Sequence, residues 1–234
     1  MTGRINSIQT LGTVDGPGVR FVLFVQGCPL RCAYCHNPDT WDVHGGEEMS
    51  AEEIVQKAKR YREYFGAAGG ITVSGGEPLL QADFVREIFE LCKKEGIHTA
   101  LDTSGCIWNE RVEALLSVSD LCLLDYKMTN DADYVQYTRC EKAAVDRFLS
   151  ELQKREIDTW LRQVIVRGIN DSCESVKHLY DVAAAHSCVK KVELLKFRKL
   201  CAPKYENLGI EFPFGNIEPT TDADIKALLE AVNK

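Results

Sequence analysis

Val19-Arg20-Phe21-Val22-Leu23-Phe24-Val25-Gln26-Gly27-Cys28-Pro29-Leu30-Arg31-Cys32-Ala33-Tyr34-Cys35 runs an apolar segment straight into three cysteines. Val19 to Gln26, rich in β-branched and aromatic residues, predicts a buried strand. The cysteines then follow as C-x3-C-x2-C. A cubane iron–sulfur cluster takes four thiolates. Three in one loop hold three irons and leave the fourth free to bind another molecule, and an open position marks a metal centre that does chemistry. Zinc is the competing reading, but its sites show two cysteine pairs or a pair followed by spaced histidines. Here the next cysteine is Cys92, and His36 and His44 lack that spacing. A ferredoxin-type carrier would read C-x2-C-x2-C-x3-C. Three plain core thiols would be unusual with Pro29 and Arg31 between them.

Beyond this loop, strand-like and helix-like segments alternate. Ser50-x-x-Glu53 predicts a capping box opening a helix to about Phe65. Gly70 to Val73 reads as a strand, Gln81 to Glu95 as a helix ending at Gly96, and Ile97 to Leu101 as a strand. A helix over Asn109 to Ser117 precedes a strand at Leu121 to Leu124. A helix at Lys142 to Arg155, a strand at Asp158 to Val166 and a helix at Ser172 to His186 follow. Lys191 to Leu195 is the sixth strand, and a last helix runs from Thr221 or Asp222 to Val232. Six β-α units in series predict a parallel sheet with right-handed crossovers. A closed barrel needs eight units and typically ~250 residues. The expected fold is therefore α/β, an incomplete (β/α)6 TIM-like barrel open on one side, with residues 1–234 as one domain.

Each polar motif falls just after a strand, where β/α barrels carry their active sites. Ser74-Gly75-Gly76-Glu77-Pro78 follows the second strand. Its glycines let backbone approach a ligand, and Glu77 is placed to anchor a cationic group such as an amine; an ordinary strand-to-helix turn is the alternative. Asp102 and Thr103 follow the third strand, and Asp125 follows the fourth beside Lys127. Carboxylates and hydroxyls suit small hard cations, a lysine suits a ligand carboxylate, and a capped turn is the competing reading.

With 45% hydrophobic residues the chain can bury a sizeable core, and a net charge of −7 does not suggest nucleic-acid or membrane-surface binding. No apolar run reaches the ~18 residues of a membrane span, and the N-terminus shows no signal-peptide core. Ten cysteines without such a signal fit a reducing cytoplasm. The seven outside the loop read as scattered core or surface thiols.

These residues resemble a known family. The cysteine loop, with Tyr34 before its last cysteine, is the radical S-adenosylmethionine (radical SAM) signature, and Gly75-Gly76-Glu77 matches the turn that meets the methionine amine. Gly12-Thr13-Val14-Asp15-Gly16-Pro17-Gly18-Val19-Arg20-Phe21 and Cys35-His36-Asn37-Pro38-Asp39-Thr40-Trp41 resemble the glycyl-radical activating enzymes, in particular the family acting on pyruvate formate-lyase. So do Leu101-Asp102-Thr103 and Glu193-Leu194-Leu195. The resemblance implies a 4Fe–4S cluster on Cys28, Cys32 and Cys35 that reductively cleaves S-adenosylmethionine, after which a hydrogen atom is taken from a glycine of the partner enzyme. It further implies Tyr34 and His36 along the adenosyl group, and Gly75, Gly76 and Glu77 at the methionine amine. Asp125, Tyr126, Lys127 and Arg198 are implied as further cofactor contacts. Asp102, Thr103 and Asp125 resemble ligands of a monovalent cation, and Asp15 and Arg162 match positions near the incoming glycine loop.

Implied partners are a glycyl-radical enzyme and an electron donor such as flavodoxin or ferredoxin, with the chain itself monomeric. Lys196, Arg198, Lys199 and Lys204 form a basic cluster that would steer an acidic donor; a solvated charged face is the plainer reading. Two departures bear on the partner. Lys196-Phe197-Arg198 replaces the family's Pro-Tyr-His, and Pro78 stands where relatives often have alanine. A different glycyl-radical enzyme, such as anaerobic ribonucleotide reductase, or a small-molecule radical reaction is the alternative. A cluster- or zinc-binding module without catalysis would leave the Gly-Gly-Glu and Asp-Thr motifs unexplained.

Overall fold

Six in-register parallel strands set the architecture of the computed structural model, which describes residues 1–232. They are β2 (Arg20–Val25), β4 (Gly70–Gly75), β5 (His98–Thr103), β6 (Leu121–Asp125), β7 (Thr159–Ile165) and β8 (Val189–Lys196). These are the six strands expected from sequence. Two more were not expected: β1 (Thr2–Gly12) and β3 (Glu47–Ser50) extend the sheet antiparallel, giving the order β3-β1-β2-β4-β5-β6-β7-β8. β1 (TGRINSIQTLG) buries one large apolar side chain, Ile5, and β3 is four mostly polar residues. Neither carries the apolar alternation that marks a strand in sequence. The sheet is mostly parallel and unclosed, with β3 and β8 as its edges.

The helices form the outer layer. They are α1 (Ala51–Lys59), α2 (Arg62–Phe65), α3 (Ala82–Lys94), α4 (Glu110–Leu116), α5 (Asp131–Thr138), α6 (Lys142–Lys154), α7 (Cys173–Ala184), α8 (Ala202–Leu208) and α9 (Asp222–Val232). The capping box is present: Glu53 N donates to Ser50 Oγ at 3.2 Å and Ser50 N to Glu53 Oε2 at 2.8 Å. The helix expected to reach Phe65 instead breaks at Arg60-Tyr61. The short α5 and α8 were not expected. α5 is polar on most faces and buries only Tyr134 and Thr138, so periodicity does not reveal it.

Strand alternation separates two interiors. Phe21, Leu23, Ile71, Val73, Leu101, Cys122 and Leu124 join the core beneath the helices, with Ile54, Ile88 and Phe148. The residues between them face the barrel interior. Low in that interior, Arg20 is fully buried, donating to Thr72 Oγ1 at 2.9 Å and lying 3.2 Å from His98 Nδ1. Burial lowers its guanidinium to about 10. Higher up, register places Phe24 beside Ser74, and Asp125 beside Arg162, which in turn pairs with Glu193. Polar side chains thus gather at the C-terminal ends of the strands. Among the described residues, no helix is long and apolar enough to cross a membrane.

Candidate active site

The loop after β2 is held mostly through backbone groups. Gly27 N donates to Thr40 O at 2.7 Å, and Cys35 N to Cys32 O at 3.0 Å. Arg31 N and Ala33 N donate to Thr138 O and Tyr137 O at the end of α5, at 3.1 and 2.8 Å. Arg31 Nη1 donates to Cys28 O at 2.8 Å, and Tyr205 Oη to Cys35 O at 3.1 Å. These contacts turn Cys28, Cys32 and Cys35 onto one cavity of about 380 Å³, which no other cysteine lines. Burial pushes the Cys28 and Cys32 thiols up to about 12 and raises Cys35 as well. The metal-free thiols are therefore protonated, and iron binding must release those protons.

The turn after β4 abuts the root of this loop. Gly76 N donates to Val25 O at 2.9 Å and Glu77 N to Gly27 O at 2.8 Å. A Cβ on Gly76 would stand 2.1 Å from Gly27 O, and Gly75 has φ of +117° with its Cβ position 2.3 Å from Val25 N. Two glycines are required because backbone meets backbone here.

Glu77 is occupied otherwise than the amine-anchor expectation had it. Only 1% exposed, its Oε1 accepts from Thr103 Oγ1 at 2.5 Å and Leu79 N at 3.1 Å. Its Oε2 accepts from Ser104 N at 3.0 Å and Ser104 Oγ at 2.5 Å. The carboxylate borders the cavity but is saturated by four protein donors, and it ties the β4 turn to the end of β5.

Charge pairing fills the opposite wall. Lys127 Nζ donates to Asp125 Oδ2 at 2.9 Å. Burial works against the Lys127 ammonium, but the hydrogen-bonded carboxylate of Asp125 outweighs it, and Lys127 is held well above its ordinary value. Burial likewise opposes ionisation of Asp125, yet Lys127 and Arg162 hold that carboxyl below the usual range. Asp102 accepts from Ser74 Oγ at 2.7 Å and lies 3.2 Å from Arg162 Nη1, while burial raises it to about 6. Arg162 Nε lies 3.7 Å from Glu193 Oε2. Both contacts are within ion-pair range, but neither nitrogen is aligned on an acceptor. A buried guanidinium with unspent N–H directions facing a cavity suits an anionic ligand. Among the described residues, no group of three or more His, Cys, Asp or Glu side chains closes on a single-ion site.

Of the remaining expected residues, Asp15, Tyr34, His36 and Thr103 line the same cavity. Burial raises the Asp15 carboxyl. His36 Nε2 lies 2.9 Å from Arg198 O, so Arg198 reaches the rim through its backbone while its side chain is exposed. Tyr126 is not at the cavity. It is fully buried under α6 and donates from Oη to Asp146 Oδ1 at 2.7 Å. The basic cluster is mostly spent as well. Lys196 pairs with Asp222, Lys199 donates to Gly215 O at 2.8 Å, and Lys204 bonds Asn37 Oδ1 at 2.8 Å and Asp39 Oδ1 at 3.0 Å.

Ser74, Ser104, Glu193 and Trp41 belong to the site but were not singled out from sequence. Strand alternation was the available signal for Ser74 and Glu193, which share a face with Asp102 and Arg162. Trp41 packs against Arg31, whose guanidinium lies 4.9 Å from its ring centre. The buried indole Nε1 has no hydrogen-bond partner among the described residues, and the Cys35 thiol is its neighbour.

An unclosed β/α sheet with three thiols at the C-terminal mouth and no fourth cysteine there defines a class. Residues 22–180 match the radical SAM superfamily, and the chain belongs to that superfamily. Within it, the chain is 45% identical over 217 residues to the pyruvate formate-lyase-activating enzyme of Clostridium pasteurianum, covering 92% of this chain and 91% of that one. It is 41% identical over 234 residues to the pyruvate formate-lyase 1-activating enzyme of Escherichia coli, covering 97% and 95%. It is a member of the family of pyruvate formate-lyase-activating enzymes. A crystal structure of a domain of such an enzyme from Bacteroides vulgatus shares the fold, with a TM-score of 0.58, 19% identity, and coverage of 70% of this chain and 93% of that one. Membership implies a 4Fe–4S cluster, S-adenosylmethionine and a glycyl-radical enzyme as partner.

Proposed function

We propose that this chain installs a glycyl radical on pyruvate formate-lyase, and that Cys28, Cys32 and Cys35 hold the cluster that starts the reaction. The observation that carries the reading is the trio of thiols on one cavity that no other cysteine lines. It leaves one iron position without a protein thiolate. Cys28, Cys32 and Cys35 would hold a 4Fe–4S cluster, which would supply the electron for reductive cleavage of S-adenosylmethionine and so the hydrogen-atom abstraction from glycine.

The protein's own residues bind, orient and exclude water. The glycine turn at Gly75-Gly76 brings backbone to the methionine amine. Lys127 and the unaligned N–H groups of Arg162 face the cavity as cations for a carboxylate. Tyr34 and His36 flank the adenosyl group, with Arg198 at the rim. Asp102, Thr103 and Asp125 supply oxygens for a monovalent cation, which would compete with Arg162 and Lys127 for the same carboxylates. Asp15 and Arg162 meet the incoming glycine segment. Glu77 fixes the turn rather than the amine. Residues 1–234 act as one domain and as a monomer in the cytoplasm, with flavodoxin or ferredoxin as electron donor.

The test is anaerobic. The cluster is reconstituted and reduced with dithionite, S-adenosylmethionine and pyruvate formate-lyase are added, and electron paramagnetic resonance is recorded. A glycyl doublet with 5′-deoxyadenosine is expected. Deoxyadenosine without the doublet would move the partner to another glycyl-radical enzyme. Neither product from a cluster-loaded protein would overturn the reading.

A further inference from the structure

Asp15 reaches the cavity on a loop with a single hydrogen-bond anchor. The chain leaves β1 at Gly12 and enters β2 at Arg20, and Val14 between them is 73% exposed. Among the described residues, and outside the β1–β2 ladder, Val14 to Gly18 take part in one hydrogen bond: Thr72 Oγ1 donates to Asp15 O at 2.7 Å. Gly16 follows with φ of +123°, and a Cβ there would stand 3.7 Å from the same Oγ1. The anchor therefore acts on the Asp15–Gly16 peptide itself.

The direction of that bond is forced. Thr72 is fully buried on β4, paired with Val22 of β2. It does not line the cavity, and the proposed reaction does not use it. Arg20 Nε donates to Thr72 Oγ1 at 2.9 Å. A guanidinium cannot accept, so the hydroxyl accepts from Arg20 and its one proton is left for Asp15 O. Arg20 is fixed in turn. Its Nη1 lies 3.2 Å from His98 Nδ1 and donates to Ala68 O at 3.4 Å, and its Nη2 donates to Ile71 O. A buried, fully engaged cation thus sets the loop through one hydroxyl.

We propose that Thr72 is a positioning residue for Asp15: its hydroxyl, with Arg20 behind it, fixes where the Asp15 carboxyl stands to receive the incoming glycine segment. The inference rests on the function proposed above, in which Asp15 meets that segment. Cleavage of S-adenosylmethionine without the partner does not need this bond.

The test compares Thr72→Val, which keeps the shape but neither accepts nor donates, with Thr72→Ser, which does both. Cluster-loaded, reduced protein is titrated with pyruvate formate-lyase at saturating S-adenosylmethionine, and the glycyl doublet is followed by electron paramagnetic resonance. Deoxyadenosine formed without the partner is measured alongside. Loss of the hydrogen bond should lower kcat/KM for the partner about five- to tenfold in Thr72→Val. Partner-free cleavage and KM for S-adenosylmethionine should stay within about twofold, and Thr72→Ser should match the wild type. An unchanged kcat/KM, an equal fall in both reactions, or a serine variant that fails as valine does would overturn the proposal. One check needs no variant. In wild-type protein the Thr72 hydroxyl proton should exchange slowly with water and show a nuclear Overhauser contact to the Gly16 α-protons, and its absence would equally overturn the proposal. A wild type that forms no doublet would instead sink the proposed function, and the partner role of Thr72 with it, even where the Overhauser contact is present.

Discussion

Glu77→Gln separates a structural carboxylate from a ligand-binding one. In the native chain each carboxylate oxygen accepts two protein hydrogen bonds, at 2.5 and 3.1 Å on Oε1 and at 3.0 and 2.5 Å on Oε2. Glutamine keeps the shape but turns one oxygen into a donor. The Thr103 and Ser104 hydroxyls can rotate to accept from the new amide. A backbone N–H, that of Ser104 or of Leu79, cannot, and is left facing another donor. Losing one hydrogen bond to a charged acceptor costs about 1.5–3 kcal/mol, and an orphaned buried donor costs about 1–3 kcal/mol. These overlap, so a net loss of about 2–4 kcal/mol is expected. With a urea m-value of about 3 kcal/mol/M, the unfolding midpoint of the metal-free protein should fall by about 1 M. Circular dichroism in urea, without S-adenosylmethionine, measures it. KM for S-adenosylmethionine should change far less than stability. An unchanged midpoint with a many-fold rise in that KM would refute the reasoning and return Glu77 to the methionine amine.

Cys32→Ala should leave the far-ultraviolet circular dichroism native while iron content and S-adenosylmethionine cleavage are lost, because two loop thiols remain; a variant that still cleaves would sink the three-thiolate assignment. Asp102 sets a pH dependence in the metal-free protein. Its folded value of about 6 stands above the ordinary 3.8, so the native state keeps this proton where the unfolded chain loses it. The stabilising contribution is present at low pH and disappears as pH rises from about 4 through 6. The stability of the wild type relative to Asp102→Asn should therefore drop by up to about 3 kcal/mol over that range, and a difference that stays flat would contradict it. Trp41→Phe removes a buried, unpartnered indole N–H beside Cys35, free to donate to a ligand sulfur. Hydrogen bonds to cluster sulfurs raise the potential, so a redox titration followed by electron paramagnetic resonance should show a more negative midpoint, and an unmoved one would count against the contact.

The legible part of the fold was the part carried by burial. β2 and β6 are almost wholly buried and read as apolar runs, as strands sandwiched between layers do, and β4 and β5 have short apolar centres at Ile71-Thr72-Val73 and Ala100-Leu101. β1 and β3 were not legible because an edge ribbon needs only one inward residue, Ile5, and backbone pairing supplies the rest. α5 was missed for a related reason. Its contribution is the carbonyl groups of Tyr137 and Thr138, which hold the cysteine loop, and carbonyls leave no mark on side-chain pattern.

The same distinction explains the site. Thiols, glycines and carboxylates at strand ends announce that something binds there, but not how their valences are shared. Glu77 looked free because its partners, Thr103, Ser104 and Leu79, are remote in sequence or look like an ordinary turn. Tyr126 stood between Asp125 and Lys127 in sequence, yet alternation sends it to the opposite face of the sheet, against Asp146. Arg162 shows the converse. As one arginine in a strand it carried little signal beyond resemblance. Once β7 sets it between Asp102 and Glu193, two of its guanidinium nitrogens, Nε and Nη1, are buried without an aligned acceptor. Residue chemistry names the ingredients of this site, and strand register decides which are spent on the protein and which remain for the ligand.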